Sequence, residues 1–206
     1  MQTKGNLYII AAASGTGKTS LACALEQTVS DIKVSISHTT RPIRPREVPN
    51  QSYFFVNEEE FMRLVKEHAF LEYAQVFNHF YGTSKAFVDE QLNQGKDVIL
   101  DIDWQGALQV KRIYPQSVSI FLLPPSQEEL RLRLKRRKRD SAKTIAQRLS
   151  LANGEIMHCC EFDYIVINDK FEEALKDLQT IFLANRLRKE RQLIKYDELL
   201  KVLISH

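Results

Sequence analysis

Cysteine is scarce in this chain of 206 residues, with only Cys23, Cys159 and Cys160. An odd number, two of them adjacent, makes neither a disulfide framework nor the spacing of a metal site, and it favours a reducing compartment. No apolar run approaches the ~20 residues that a bilayer-spanning helix needs. The N-terminus lacks a basic region followed by an apolar core, so no signal peptide is read there. These absences predict a cytoplasmic protein with no membrane partner. Internal repeats, low-complexity tracts and long linkers are missing too. Strong charge of one sign is also absent. The net charge is +3, and seven basic residues crowd into 131–139 (RLRLKRRKR), so the rest of the chain is acidic overall. The basicity is therefore local. What is present, 44% hydrophobic and 27% charged residues, is ordinary for a globular protein. The length allows one α/β domain with insertions and a sizeable core.

The chain is organised around AAASGTGKTSL, Ala11–Leu21. The apolar run Leu7-Tyr8-Ile9-Ile10 before it reads as a buried strand, and Leu21–Leu25 after it as the start of a helix. Gly17-Lys18-Thr19 supplies the second half of the phosphate-binding pattern G-x-x-x-x-G-K-[ST], with Ala12 in place of its first glycine. Gly15 and Gly17 allow backbone conformations closed to other residues, so successive N–H groups can turn toward a polyphosphate. The helix that follows adds free N–H groups and its positive dipole end. Lys18 can reach the β- and γ-phosphates, and the Thr19 hydroxyl can join the shell of Mg²⁺. An ordinary strand-to-helix turn with a surface lysine would also contain glycine, but strand, loop and helix here follow the order the mechanism needs. The expectation is a nucleoside triphosphate site formed by Ala12, Ala13, Ser14, Gly15, Thr16, Gly17, Lys18 and Thr19.

Along the chain, strands are expected at 33–37, 53–56, 70–77, 80–83, 97–103, 118–123 and 163–167. Helices are expected at 58–68, 85–93, 105–113, 143–158, 171–191 and 196–204, with one more carrying the basic run. Asn57 and Ser84 suit helix caps, and three glutamates in the first turn at 58–60 suit the helix dipole. Alternating strands and helices imply an α/β fold with a mainly parallel sheet covered on both faces. The short, aromatic-rich strands between about Ser35 and Thr83 break that rhythm and suggest an inserted subdomain. The C-terminal helix could pack on the core or on a second subunit, which leaves a homo-oligomer open.

Three further groups carry chemistry. Asp101 stands at the carboxyl end of an apolar strand beside the phosphate loop, where a Mg²⁺-bound water would be held. Asp103, two residues on, is placed to touch an acceptor, although either acid could instead cap the next helix. The segment 41–46 brings three arginines into a proline-bounded loop. Arg41 and Arg44 are held in extended backbone, where their forks can converge on one anion, or the loop can be a solvated basic surface. Arg133, Arg137 and Arg148 make the third group. The run at 131–139 fits nucleic-acid phosphates, a solvated helix face, or a mobile segment whose arginines cover a transferring phosphoryl group. Sequence alone leaves those three readings level.

With these pieces placed, the chain resembles the guanylate kinase family from Asn6 to about Arg191. The matching segments are Ser14–Thr19, Ser37-His38-Thr39-Thr40-Arg41-Pro42-Ile43-Arg44, Glu72–Gln75, Tyr81-Gly82-Thr83, Leu100–Gly106 and Phe162–Asp169. The phosphate loop is shared by many families. The combination of S-x-T-T-R-x-x-R with D-I-D-x-Q-G is specific. The resemblance implies a P-loop kinase fold and phosphoryl transfer from ATP to GMP (and dGMP), giving ADP and GDP, with Mg²⁺ and without a nucleic-acid partner. It implies a core (1–35, 97–135 and 145–206), a GMP-binding subdomain (36–96) and a lid (136–144). By resemblance, Arg41, Arg44, Tyr53 and Tyr81 hold the GMP phosphate, and Ser37, Glu72 and Thr83 read the guanine. Asp103 assists at the acceptor, and Lys18, Arg137 and Arg148 surround the transferring group, with Arg41 counted among the catalytic residues. Thr19 and Asp101 serve the metal, Asp101 through a bound water.

Elementary chemistry agrees with that reading of Glu72. Guanine offers adjacent N1–H and exocyclic amine donors that one carboxylate can accept together, whereas adenine would turn its N1 acceptor toward the charge. Taken alone, Glu72 reads better as one more surface glutamate at a strand edge, and Tyr53 and Tyr81 as half-buried strand aromatics. The chain departs from the family at Arg46, which fills the glycine of R-P-G-E. It departs again at Arg136-Arg137-Lys138, which replaces the lid's G-R-G. A non-catalytic binding module of this fold would be expected to lose Lys18, Arg41 or Arg44, and all three are present.

Overall fold

The computed structural model describes residues 4–45, 47–76, 78–136 and 142–205, and for 142–148 the backbone alone. Leu7–Ala12 forms the central strand β1. Helix α1 (Lys18–Thr28) leads to β2 (Ile32–Val34). Next come β3 (His38–Thr39), β4 (Phe54–Phe55), α2 (Glu58–Lys66), β5 (Phe70–Val76), β6 (His79–Ser84) and α3 (Lys85–Asn93). β7 (Asp97–Asp101), α4 (Trp104–Ile113), β8 (Val118–Leu123) and α5 (Gln127–Arg136) follow. Then come α6 (Ala142–Met157), a 3-10 turn at His158–Glu161 and β9 (Tyr164–Ile167). The last three helices are α7 (Phe171–Arg186), α8 (Lys189–Lys195) and α9 (Asp197–Ile204).

β2, β7, β1, β8 and β9 pair in that order, every neighbour parallel. A parallel sheet is buried on both faces, and the two-residue period of a strand sorts its side chains between them. Tyr8 and Ile10 of β1 pack in one cluster with Leu21 and Leu25 of α1 and Leu178 and Phe182 of α7. Leu7 and Ile9 join Val88 and Leu92 of α3 and Val110 of α4 on the other side. Each such fully buried aliphatic side chain contributes roughly 2 kcal/mol of transfer free energy.

The aromatic-rich insertion forms a second sheet, β4-β3-β6-β5, antiparallel except between β3 and β4. Phe61 of α2 covers it, with ring centroids 4.7 Å from Phe70 and 5.5 Å from Phe80. α2 begins as expected: Asn57 accepts the Glu60 N–H at 2.8 Å, and Glu58, Glu59 and Glu60 fill the first turn. The outer edge of β5 is met by α4, where the Gln109 amide bonds both the N–H and the carbonyl of Tyr73.

Several boundaries differ from the sequence reading. β2 stops at Val34, and the chain leaves the main sheet early enough for His38 to begin β3. The strand expected to reach Asp103 ends at Asp101, because Asp103 turns to cap α4 and accepts the Gly106 N–H at 2.8 Å. The single helix expected over 171–191 breaks after Arg186, and the break lets Arg186 and Arg191 reach one carboxylate. α9 leaves Leu199, Val202, Leu203 and Ile204 exposed instead of burying them on the core. Among the described residues no helix is long and apolar enough to cross a membrane.

That shared carboxylate is Asp97, 1% exposed at the start of β7. It accepts from the Asn6 N–H at 2.7 Å, Arg186 Nε at 2.8 Å and Arg191 Nη1 at 3.1 Å, and so ties the start of β1 to α7 and α8. Asp97→Ala strands two guanidiniums and is expected to lower stability by about 3 kcal/mol, the scale for breaking a buried ion pair. The check is the urea midpoint. Turnover should barely change, since Asp97 lies at the end of β7 opposite Asp101.

Candidate active site

β1 and β7 lie side by side with Ile10 opposite Asp101, so the loop after β1 and the tip of β7 emerge at one edge. In open α/β sheets that edge is where ligands bind. Gly15 and Gly17 have φ of +100° and +99°, which residues with a Cβ seldom adopt. The Thr16 hydroxyl donates to the Ala13 carbonyl at 2.8 Å, closing the turn. Asn168, just past β9, donates Nδ2 to the Thr16 carbonyl at 2.6 Å. Leu130 and Leu134 of α5 pack with Ala13, and a Cβ at Gly15 would lie 2.9 Å from Leu134 Cδ2. α2, α3 and α4 are capped by Asn57, Ser84 and Asp103, whereas α1, like α7, α8 and α9, has no side-chain cap, its N-cap being Gly17. Its first N–H groups are left for an anion, which the helix dipole also favours.

Asp101 gathers the charged end of this loop. Its Oδ1 lies 2.8 Å from Lys18 Nζ, and its Oδ2 accepts from the Thr19 hydroxyl at 2.6 Å. Lys18 also donates to the Ile102 carbonyl. From α6, Glu155 Oε2 accepts the Ser14 N–H at 3.2 Å, and burial pushes its carboxyl above the usual range.

The second sheet forms the facing wall. Phe70 opposes Ser84 but Glu72 opposes Thr83, so a β-bulge at Leu71 interrupts the alternation. Leu71 and Glu72 are consequently both buried, Leu71 in the core and Glu72 lining the cleft. Glu72 is 3% exposed, and its hydrogen-bond partner is a hydroxyl: Thr83 Oγ1 donates to Oε1 at 2.6 Å. Ser37 Oγ lies 3.5 Å from that same hydroxyl. Burial, reinforced by the charge of Asp103 and opposed by the Thr83 hydrogen bond, pushes the Glu72 carboxyl up to about 7.

Arg44, Tyr53, Tyr81 and Asp103 line the same cleft as residues 12–19, Ser37, Glu72 and Asp101. Arg41 does not line it. Its guanidinium is 6% exposed and grips Glu47 through two hydrogen bonds, of 2.8 and 3.1 Å. Glu47 Oε2 also takes the Arg44 N–H at 2.7 Å. The convergence of both arginine forks on one anion is therefore not the arrangement seen, because Glu47 already neutralises Arg41. The Arg41 guanidinium sits 5.4 Å from the centre of the Tyr53 ring, which is 6.1 Å from Tyr81. Burial pushes the Tyr53 phenol up to about 12, so it stays a neutral donor.

Within the basic run, Arg133 turns away from the cleft. It donates to the Asn168 and Asp169 carbonyls at 2.8 and 3.2 Å and to Glu129 at 2.8 Å, clamping the turn after β9. Leu130 and Leu134 of the same helix are buried, so its described part is a packed core helix with Arg131, Lys135 and Arg136 outward. Arg137 and most of the expected lid lie outside the described residues, as does the side chain of Arg148 on α6. The sequence reading gives Glu155 no role, names Glu47 and Gly106 only within the R-P-G-E and D-I-D-x-Q-G motifs, and has no physical role for Asn168. A glutamate two residues past the Arg44-Pro45 pair is the local signal for Glu47.

Comparison with known proteins follows the same lines. The sequence model of the family described as guanylate kinase matches residues 4–185. A guanylate kinase of Legionella pneumophila (strain Paris) is 52% identical over 201 residues, covering 98% of this chain and 96% of that protein. One from Coxiella burnetii is 50% identical over 202 residues, with 98% of each chain covered. The crystal structure of guanylate kinase from Anaplasma phagocytophilum superposes with a TM-score of 0.78 at 32% identity, covering 98% of this chain and 96% of that one. A phosphate loop, an acidic strand tip and a buried carboxylate facing them across one cleft are thus set in a sequence half identical to the Legionella and Coxiella proteins, and the chain belongs to the guanylate kinase family.

Proposed function

We propose that this cleft transfers a phosphoryl group from ATP to GMP, with the roles divided as follows. The loop 12–19 and the uncapped start of α1 take the ATP phosphates, and Lys18 leaves Asp101 to follow the transferring group. Arg44, Tyr53 and Tyr81 hold the GMP phosphate. Arg41 joins them by exchanging its Glu47 contact for phosphate oxygens. Ser37, Glu72 and Thr83 read the guanine. Asp103 uses Oδ1 for the α4 cap, leaving Oδ2 to meet the acceptor. Arg137 and Arg148 complete the charge around the phosphoryl group.

The hard oxygen donors of Thr19 and Asp101, 2.6 Å apart on the cleft floor, fit Mg²⁺, which takes few protein ligands and keeps its waters and substrate phosphates. Thr19 would hold it directly and Asp101 through a bound water, and the ion would neutralise phosphate charge. Phosphoryl transfer asks little covalent chemistry of a protein, so in-line positioning and charge neutralisation suffice. The protein is proposed to work in the cytoplasm on small molecules.

The observation that carries the acceptor assignment is Glu72: a carboxylate 3% exposed, bonded to a hydroxyl and not to a cation, facing the phosphate loop. Guanine's two adjacent donors satisfy such a group, and adenine's edge does not. ADP release with ATP and Mg²⁺ should be much faster for GMP than for AMP, CMP or UMP. Equal rates across the four acceptors would refute the assignment.

A further inference from the structure

Glu72 is held on one side by the Thr83 hydroxyl and faces an absent side chain on the other. A Cβ built on Gly106, in the first turn of α4, would lie 2.5 Å from Glu72 Oε2 and 3.1 Å from its Cδ. Real Cβ atoms essentially never show the shorter of these. Gly106 is not among the glycines with positive φ, so its backbone would accept alanine. Alanine is also the better helix former, and a glycine kept inside a helix points to a packing reason. Here the reason is the close approach of the carboxylate.

The helix cannot simply retreat. Its first turn is pinned by the bond from Gly106 N–H to Asp103 Oδ1 at 2.8 Å. One turn on, Gln109 grips Tyr73, the residue next to Glu72, at 2.9 and 3.3 Å. With the α4 cap in place and Gln109 tying α4 to β5, the part able to move is the far end of the Glu72 side chain. Its displacement strains the 2.6 Å bond from Thr83.

We propose that Gly106 is a positioning residue for acceptor recognition. By carrying no side chain, it sets where the Glu72 carboxylate stands in the cleft, and hence how well a base with two adjacent N–H donors is held. This rests on the assignment of Glu72 to the guanine.

The test compares the intact wild-type chain with Gly106→Ala, Glu72→Ala and the double variant, by steady-state kinetics with ATP and GMP and by thermal melting. Gly106→Ala is expected to melt at or above the wild-type temperature and to keep kcat at saturating GMP and the KM for ATP. Its KM for GMP should rise about tenfold, since sub-ångström misplacement in a preorganised site is costly. In the Glu72→Ala background the same change should add nothing, because the group it displaces is gone. An unchanged KM for GMP in Gly106→Ala overturns the inference, as does an effect that persists in full without the carboxylate. A melting temperature several degrees lower would show that α4 yields instead of Glu72, and overturns it too. If Glu72→Ala itself leaves GMP use intact, the base assignment fails and this inference falls with it. If only Gly106→Ala is silent, the base assignment stands.

Discussion

Lys18→Ala is expected to lower kcat by about 10²–10³-fold or more, the scale for removing one preorganised charge aimed at a transition state. In the cleft Lys18 is held by Asp101 Oδ1 at 2.8 Å and by the Ile102 carbonyl. On the proposed mechanism the ammonium exchanges those contacts for phosphate oxygens. Its removal leaves Asp101 with the Thr19 hydroxyl at 2.6 Å. Because the ion pair is partly exposed, at 20% and 14%, the expected change in stability is no more than about 1 kcal/mol. Single-turnover rates separate chemistry from binding, and far-ultraviolet circular dichroism checks the fold. A variant that kept kcat within tenfold of wild type would remove Lys18 from the reacting site.

Features set by local sequence were legible before the structure. β1 shows its two-sided burial in the unbroken Leu7–Ala12 run, and Gly15 and Gly17 sit at the positive φ values their composition suggested. Asn57 and Ser84 cap the helices they precede. Two of the features that escaped depend on groups distant in sequence. The bulge that turns Glu72 into the cleft is a mismatch of register between β5 and β6, and no pattern within β5 alone announces it. Arg133 stood in a basic run that invited three readings, and its role depends on two carbonyls 35 and 36 residues away. Asp103 differs, because the sequence leaves both the acceptor and the helix-cap readings open and the bond from the Gly106 N–H, three residues on, bears out the cap. Glu47 was missed because Arg41 reads as an open cation whenever its counter-charge is not weighed.

Glu72→Gln is expected to pull stability and function in opposite directions. Burial is the main reason that the Glu72 carboxyl is raised from 4.5 to about 7. Between those values the folded protein holds a proton that the unfolded chain releases, so stability falls as pH rises through the window, and the whole penalty is present above about 7. At 1.36 kcal/mol per pH unit the penalty at pH 8 is roughly 3 kcal/mol. Glutamine keeps an acceptor for the Thr83 hydroxyl and carries no charge to desolvate. Glu72→Gln should therefore melt higher than wild type at pH 8, with the gap closing toward pH 4.5. The same variant offers guanine one acceptor where the carboxylate offers two, and it turns an amide donor toward the base. Losing a buried hydrogen bond of this kind costs about 1–3 kcal/mol, so the KM for GMP should rise between about five-fold and a hundred-fold. In wild type that KM should fall as pH rises through about 7, as the carboxylate ionises to accept both donors. In Glu72→Gln the inflection should be lost, leaving only the ionisation of the GMP phosphate common to both proteins. Matching pH profiles in the two proteins would mean that Glu72 does not read the base. An unshifted melting curve at pH 8 would mean that its burial imposes no penalty on the fold.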